Sequence, residues 1–406
     1  MFMPSARNWE EMKYESAGCW PLPINKGDDF AFIVKMGLTS IKAAFKSCPI
    51  SLTIGRANTP NGVVLTTTLS VADDLNAPLL LSGALRHTEE HLALENILRA
   101  KRTAIVFFDE MSRHVATAAC TLNNRECSEA SAMVDSPGER YSGSWITMLA
   151  DVLDEAQLHS DPLLTVTPKY TPVFFTVSMK LSGFETIRST TIGADEVLDF
   201  ELSDKNEGRG QEQSAWHLLE NLFEGNIFHS PQVVEAGKKR ELTDILTHTS
   251  VGINLFESKV TEMLAENSLD RSTERREKNI QNHINKGIDQ LVGAFRNVKA
   301  SLPLRTKQDN PIEIPNGTDS IHNGIVLISE MLSGLDWEAI YVQLSEASEK
   351  CGAMLHILDL RELRTIVGIS RDNPVLFAAH LSHRFDIMSE RKHALLRTTL
   401  NGPPLP

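Results

Sequence analysis

The chain is poor in cysteine, with five in 406 residues and no Cys-x-x-Cys pair among them. Cys19, Cys48, Cys120, Cys127 and Cys351 are odd in number, so neither a disulfide framework nor a zinc knuckle is supported, and reduced core thiols are expected. No run approaches the roughly 18 apolar residues of a membrane span, and Met1 to Glu11 holds no apolar stretch of secretory type. A cytoplasmic protein without membrane association is therefore expected. Positive charge is also short: 40 Lys and Arg stand against 53 Asp and Glu, for a net charge of −13. Any contact with nucleic acid must then come from local basic patches rather than from the chain as a whole. Internal repeats and low-complexity tracts are missing, and no disordered or fibrous class is indicated.

What is present suffices for packed cores. Hydrophobic residues make up 41% of the chain, and 406 residues suggest two or three domains at about 150 residues each. Residues 1–202 read as an α+β domain. Its strand-like runs are Phe30 to Val34, Gly62 to Val71, Thr103 to Phe108, His114 to Thr121 and Pro172 to Met179, with helical stretches near Glu89 to Arg99 and Trp145 to Gln157. The polar segment 203–214 reads as a linker into a second domain, 215–406.

The densest chemistry lies after that linker. Two strand-like runs, Leu242 to His248 and Val251 to Val260, meet at Thr249 and Ser250, and a tight connection there lays Asp244 beside Glu257. Side chains alternate along a strand, so Glu257 and Lys259 share one face. A hard divalent cation such as Mg²⁺ binds through one or two carboxylates plus water and substrate phosphate, which this pair offers. Unpaired charges on an apolar strand are costly to bury, so a bound cation or a cross-hairpin ion pair at a sheet edge is expected. Glu11-Met12-Lys13 has the same spacing but no preceding acidic strand, and reads as surface.

On Asp244 and Glu257-x-Lys259 the sequence resembles the PD-(D/E)XK, or restriction-endonuclease-like, nuclease superfamily, over roughly Ala215 to Leu363. An acidic helix precedes the hairpin in that family. Here Ser214 is read as the cap of a helix from Ala215 to Glu224, with Trp216, Leu218, Leu219, Leu222 and Phe223 on its apolar face and Gly225 as its stop. Glu220, with Glu224 in second place, matches the acidic residue that this helix gives to the metal site. A second helix, Glu274 to Phe295, carries Ile280, Ile284, Ile288, Leu291 and Phe295 at amphipathic spacing. Its Lys286 and Gln290, one turn apart, match a polar pair that lines the cleft in many of these nucleases, and read equally as a solvated helix face. Ile325 to Ser329 and Ala353 to Leu358 read as buried strands around a helix from Trp337 to Lys350 ending at Gly352, which favours a parallel crossover.

The resemblance implies a mixed central sheet flanked by helices, so the fold class expected is α/β and α+β: an α+β domain followed by a restriction-endonuclease-like one. It further implies Mg²⁺, with Mn²⁺ able to substitute, held by Asp244, Glu257, Glu220 and the carbonyl of Ser258, with Lys259 at the attacking water. The reaction implied is hydrolysis of phosphodiester bonds, in DNA more than in RNA, by a homo-oligomer that pairs two active sites. Basic patches for DNA are Lys238, Lys239 and Arg240, then Arg271, Arg275, Arg276 and Lys278, then Arg384, Arg391, Lys392 and Arg397. The first cluster is best placed for a phosphate near the metal, although charge runs also read as solvated faces. A role in anti-phage defence, with residues 1–202 sensing a trigger or partner, is the biological expectation. The alternative is a nucleic-acid-binding or scaffold protein with a degenerate nuclease fold.

One constellation in the first domain suggests different chemistry. His87-x-x-Glu90-His91 has the inverted zinc-peptidase arrangement, which on a helix sets two imidazoles one turn apart beside a carboxylate. No downstream acidic ligand is marked, Glu95 being merely one turn further along. The same residues also suit a polar first turn, with His87 or Thr88 near the cap and Glu89 and Glu90 at the positive end of the helix.

Overall fold

A computed structural model describes residues 5–398 apart from 14, 16, 28, 73–77, 145, 161–168, 193–196, 236, 265–271, 315–320 and 333. The fold is mixed α/β, with mixed sheets flanked by helices; helix at 39% and strand at 33% exclude a single-class architecture. The chain forms two compact units, one mainly Met1–Ser189 and the other mainly Asp204–Ala265 with Asp270–Pro406. Among the described residues no helix is long and apolar enough to cross a membrane.

The first unit runs α1 (Ala6–Met12), β1 (Gly18–Ile24), β2 (Asp29–Lys35), α2 (Leu38–Phe45), β3 (Ile50–Thr59), β4 (Gly62–Val71), β5 (Leu79–Ala84), α3 (Thr88–Ala100), β6 (Arg102–Phe108), β7 (His114–Leu122), α4 (Asn124–Val134), α5 (Thr147–Ser160) and β8 (Val173–Thr186). Its eight strands make one sheet in the order β1-β2-β6-β7-β8-β3-β4-β5. Only the β2–β6 pairing is parallel. The sheet curls until its ends meet: the Thr67 hydroxyl donates to the Cys19 carbonyl at 2.7 Å, joining β4 to β1. Gly83 permits that closure, because a Cβ there would stand 2.6 Å from the Cys19 carbonyl oxygen. Strand edges that would otherwise be exposed are thereby covered. The five cysteines are buried and free, as a reduced core requires.

Next in the chain, β9 (Ser189–Ile192) and β10 (Val197–Phe200) form a two-stranded ribbon. The second unit then runs α6 (Glu207–Glu220), β11 (Ile227–His229), β12 (Gln232–Glu235), β13 (Lys238–Glu241), β14 (Ile245–Thr249), β15 (Gly252–Lys259), α7 (Thr273–Lys299), β16 (Leu304–Arg305), β17 (Pro311–Ile312), β18 (Ile321–Ile328), α8 (Trp337–Cys351), β19 (Met354–Leu358), α9 (Leu360–Ser370) and α10 (Pro374–Arg391). Its main sheet has the order β11-β14-β15-β18-β19, antiparallel through the β14–β15 hairpin and parallel from β15 onward. Strand alternation divides the core. Ile253, Leu255, Val326, Ile328, Leu355 and Ile357 pack with residues of α7 and α8, whereas Ile245, Phe256, Ile325, Leu327 and Leu358 pack with residues of α6 and α9. A smaller sheet, β13-β12-β16-β17, completes the unit.

Segment 203–214 is not a linker throughout, because α6 already begins at Glu207, with the Asn206 side chain accepting from the Arg209 amide as its cap. Its first two turns contain Gly208 and Gly210 and lack apolar periodicity; tertiary hydrogen bonds hold them instead. Gln211 donates to the Ser258 hydroxyl at 3.0 Å and to the Leu327 carbonyl at 2.9 Å. The helix ends at Glu220 rather than running to Glu224, and Ser214, read as its cap, is interior to it. The hairpin turn falls on Ser250 and Val251, one residue later than expected, since Thr249 pairs with Gly252.

Candidate functional site

Asp244 and Glu257 meet because the hairpin ladder continues past its last regular pair, Ile245 with Phe256. The Asp244 amide donates to the Phe256 carbonyl at 3.2 Å, and the Ser258 amide donates to Asp244 Oδ2 at 2.6 Å. The Thr243 hydroxyl closes the same carbonyl at 2.6 Å. With alternation intact, Asp244, Glu257 and Lys259 all point to the α7 face of the sheet. Lys259 Nζ stands 2.8 Å from Glu257 Oε2, 3.1 Å from the Ser258 carbonyl and 4.0 Å from Asp244 Oδ2.

Electrostatically the cluster is short of positive charge. Burial first, and the Glu257 carboxylate next, push Asp244 up to about 7, against the pull of the Ser258 N–H and Lys259. Burial likewise raises Glu257, opposed by Lys259 and by the Thr243 hydroxyl. Two carboxylates, one of them only 2% exposed, thus share one ammonium. A divalent cation would remove that imbalance, and two carboxylates plus a carbonyl form the kind of partial oxygen set that Mg²⁺ completes with water. Among the described residues no three His, Cys, Asp or Glu side chains form a metal site by themselves. The carboxylates open into a cavity of about 280 Å³ lined also by Arg240, Thr243, Asp289, Gln290 and Asn297.

The remaining expected residues divide. Gln290 and Arg240 line the cavity, whereas the Ser258 carbonyl accepts from Lys259. Lys286 is exposed on α7, and Arg275 is exposed in that helix's first turn. Lys238 and Lys239 lie with Arg240 on β13, all exposed; Lys239 pairs with Asp309 at 2.7 Å and Arg240 with Glu235 at 2.8 Å. Of the other basic candidates, Arg276 pairs with Glu330, Arg384 is buried against Glu362 at 2.8 Å, and Arg397 pairs with Asp359 at 2.7 Å; their charges are used within the unit. Arg271 lies outside the described residues.

Glu220 bonds to His217 at 3.3 Å, near the far end of α6. The α6 carboxylate that acts on Asp244 is Glu212, about 12 Å nearer the start of the helix. Glu212 also lies 3.6 Å from His229 Nε2 on β11. Sequence reading missed Glu212 because it sits in the stretch taken for a linker. The available signal was the polar triplet Glu-Gln-Ser just before Ala215 and Trp216, which extends a helix backward once Gly208 and Gly210 are tolerated.

In the first unit the His-x-x-Glu-His residues build a helix start. His87 is the N-cap of α3, in extended conformation, and Glu90 Oε2 accepts from the His87 amide at 2.9 Å in a capping box. His91 Nε2 contacts the Tyr141 carbonyl at 3.1 Å, while His87 Nδ1 is 2.7 Å from an Arg7 guanidinium nitrogen. His87 is therefore not on the helix that two zinc ligands at this spacing require, and the zinc-peptidase reading is set aside.

No family model, curated protein or solved structure matches the chain.

Proposed function

We propose that the second unit is a metal-dependent endonuclease of the PD-(D/E)XK kind that hydrolyses phosphodiester bonds of DNA. The observation that carries this reading is the convergence of Asp244, Glu257 and Lys259 on one sheet face, the two carboxylates lining a cavity. The sheet supports it as well: an antiparallel hairpin leading into two parallel strands, with α6 before it and α7 after its second strand.

Asp244, Glu257 and the Ser258 carbonyl would hold the cation, and Glu212, whose charge acts on Asp244 from α6, would add negative charge behind them. Mg²⁺ or Mn²⁺, when bound, supplies a charge that polarises phosphate and lowers the pKa of water. Lys259 would orient the attacking water and offset negative charge gathering on the phosphate. The Ser258 N–H holds Asp244, and the Thr243 hydroxyl ties the preceding strand to the Phe256 carbonyl beside Glu257. Gln290 and Arg240 take phosphate oxygens of the strand on the cavity's other wall, and Lys238 and Lys239 attract the backbone beyond it.

Cleavage of supercoiled, linear and single-stranded DNA by the full chain with Mg²⁺ or Mn²⁺ tests this. Glu257→Gln and Lys259→Met should each abolish cutting while leaving far-UV circular dichroism unchanged. Metal-dependent cutting that survives both changes removes the assignment. Binding without cutting by the wild type favours a scaffold role for the same fold.

A further inference from the structure

α7 crosses the sheet against the direction of β18. Phe295 and Leu291 lie over Gly324, where a Cβ would stand 3.0 and 3.2 Å from their side-chain carbons, and Gly287 lies over Val326, whose Cγ1 would be 2.7 Å away. Earlier helix positions thus meet later strand positions. His283 is one further turn back, about 6 Å along the axis, which brings it to the level of Ile328, the partner of Lys259 in the β15–β18 ladder.

The charges acting on the His283 ring agree with that placement. They are Lys259 on β15, Lys286 on α7 and Glu262 just after β15. Burial, followed by the two ammonium groups, holds the imidazole below the ordinary histidine range, so the ring is neutral at neutral pH. Its Nδ1 is buried with no hydrogen-bond partner. An unpaired buried N–H is rarer in folded proteins than an unpaired acceptor, so the single proton belongs on Nε2. The result is an uncharged donor beside the lysine of the site.

We propose that His283 contacts the substrate, its Nε2–H donating to a non-bridging oxygen of the phosphate that Lys259 faces. This rests on the phosphodiesterase reading of the site. A third cation beside Lys259 and Lys286 would repel both, whereas a neutral imidazole adds a directed hydrogen bond without that repulsion. Because it displaces no counterion, the contact leaves a signature that a lysine contact lacks.

The experiment compares the full-length wild type with His283→Ala, His283→Gln and Lys286→Gln. Cleavage is followed with Mg²⁺, and affinity for a short duplex without metal between about 50 and 200 mM salt. His283→Ala should cut on the order of 100-fold more slowly, as when one directed donor is lost from a charged transition state. His283→Gln, which retains a neutral donor, should recover part of that rate, a rescue that a purely structural role would not show. The salt slope should be unchanged in His283→Ala but fall by about one phosphate contact in Lys286→Gln. Wild-type rates in His283→Ala, or a full-contact drop in its slope, overturn the proposal alone. A wild type that neither cuts nor binds DNA removes the reading of the site and this proposal with it.

Discussion

Lys259 reaches back along its own strand to Glu257, Nζ to Oε2 at 2.8 Å, while Asp244 stays 4.0 Å from the same ammonium. One cation therefore serves two largely buried carboxylates. In metal-free protein, Lys259→Met leaves Glu257 buried without its partner, and such a loss costs about 3 kcal/mol. Urea denaturation at pH 8 should show it as a lower midpoint with an unchanged slope. Millimolar Mg²⁺ should recover more stability in this variant than in the wild type, since both carboxylates then lack any other cation. Equal stability of variant and wild type in EDTA would mean that the ion pair does not form.

Glu212, not Glu220, is the α6 carboxylate whose charge reaches Asp244. Calorimetric titration with Mn²⁺ should therefore find Glu212→Gln weakened on the order of tenfold or more, the effect of losing an acidic group at or just behind a metal. Glu220→Gln should bind as the wild type does. The reverse result would restore the helix position that spacing alone suggests.

The hairpin chemistry was legible in the sequence because a strand announces which side chains share a face, and Asp244, Glu257 and Lys259 need nothing more than that to converge. The strands Gly62–Val71 and Met354–Leu358 and the helix Trp337–Cys351 were legible for a similar reason: local periodicity and a left-handed Gly352 mark them. The start of α6 was not. Its first turns are held by Gln211 reaching Ser258 and Leu327, 47 and 116 residues distant, and no local pattern encodes such contacts. His283 escaped notice because α7 advertises its apolar stripe, while two of the ring's charged neighbours, Lys259 and Glu262, come from a different strand and the loop after it. The curled sheet of the first unit depends on an approach of Cys19 to Thr67 that likewise has no local mark.

A buried polar row crosses the second sheet. Asn254 donates to Thr247 at 2.9 Å, Asn323 donates to Asn254 at 2.9 Å, and His356 Nε2 lies 3.4 Å from Asn323 Oδ1. Burial first, and Arg384 second, hold His356 down to about 3. The unfolded chain takes up this proton below pH ~6.5 and the folded chain does not, so the group's stabilising effect is complete above that pH. It is then lost progressively as pH falls toward 3. Between pH 6.5 and pH 5 the wild type should lose about 2 kcal/mol on this account, at about 1.4 kcal/mol per pH unit. His356→Gln should show a smaller loss over the same interval in paired denaturation curves. Parallel curves for the two proteins would place the ring in contact with solvent.

At Gly287 α7 packs tightly against the sheet, over Val326. Two effects of Gly287→Ala oppose each other. Alanine favours a helix interior by roughly 1 kcal/mol over glycine, whereas forcing a methyl into a packed contact typically costs about 1 to 3 kcal/mol. At 2.7 Å from Val326 Cγ1 the second effect should win, giving a net loss of about 1 kcal/mol. Val326→Ala removes the obstructing methyls, so in that background Gly287→Ala should become neutral or stabilising, and the sign change in a double-mutant cycle is the readout. Because Gly287 lies one turn from His283 on α7, Gly287→Ala should slow the proposed DNA cleavage by more than its stability loss explains. If Gly287→Ala stabilises the protein with Val326 intact, the helix stands further from the sheet, and His283 loses the position from which it would reach the phosphate.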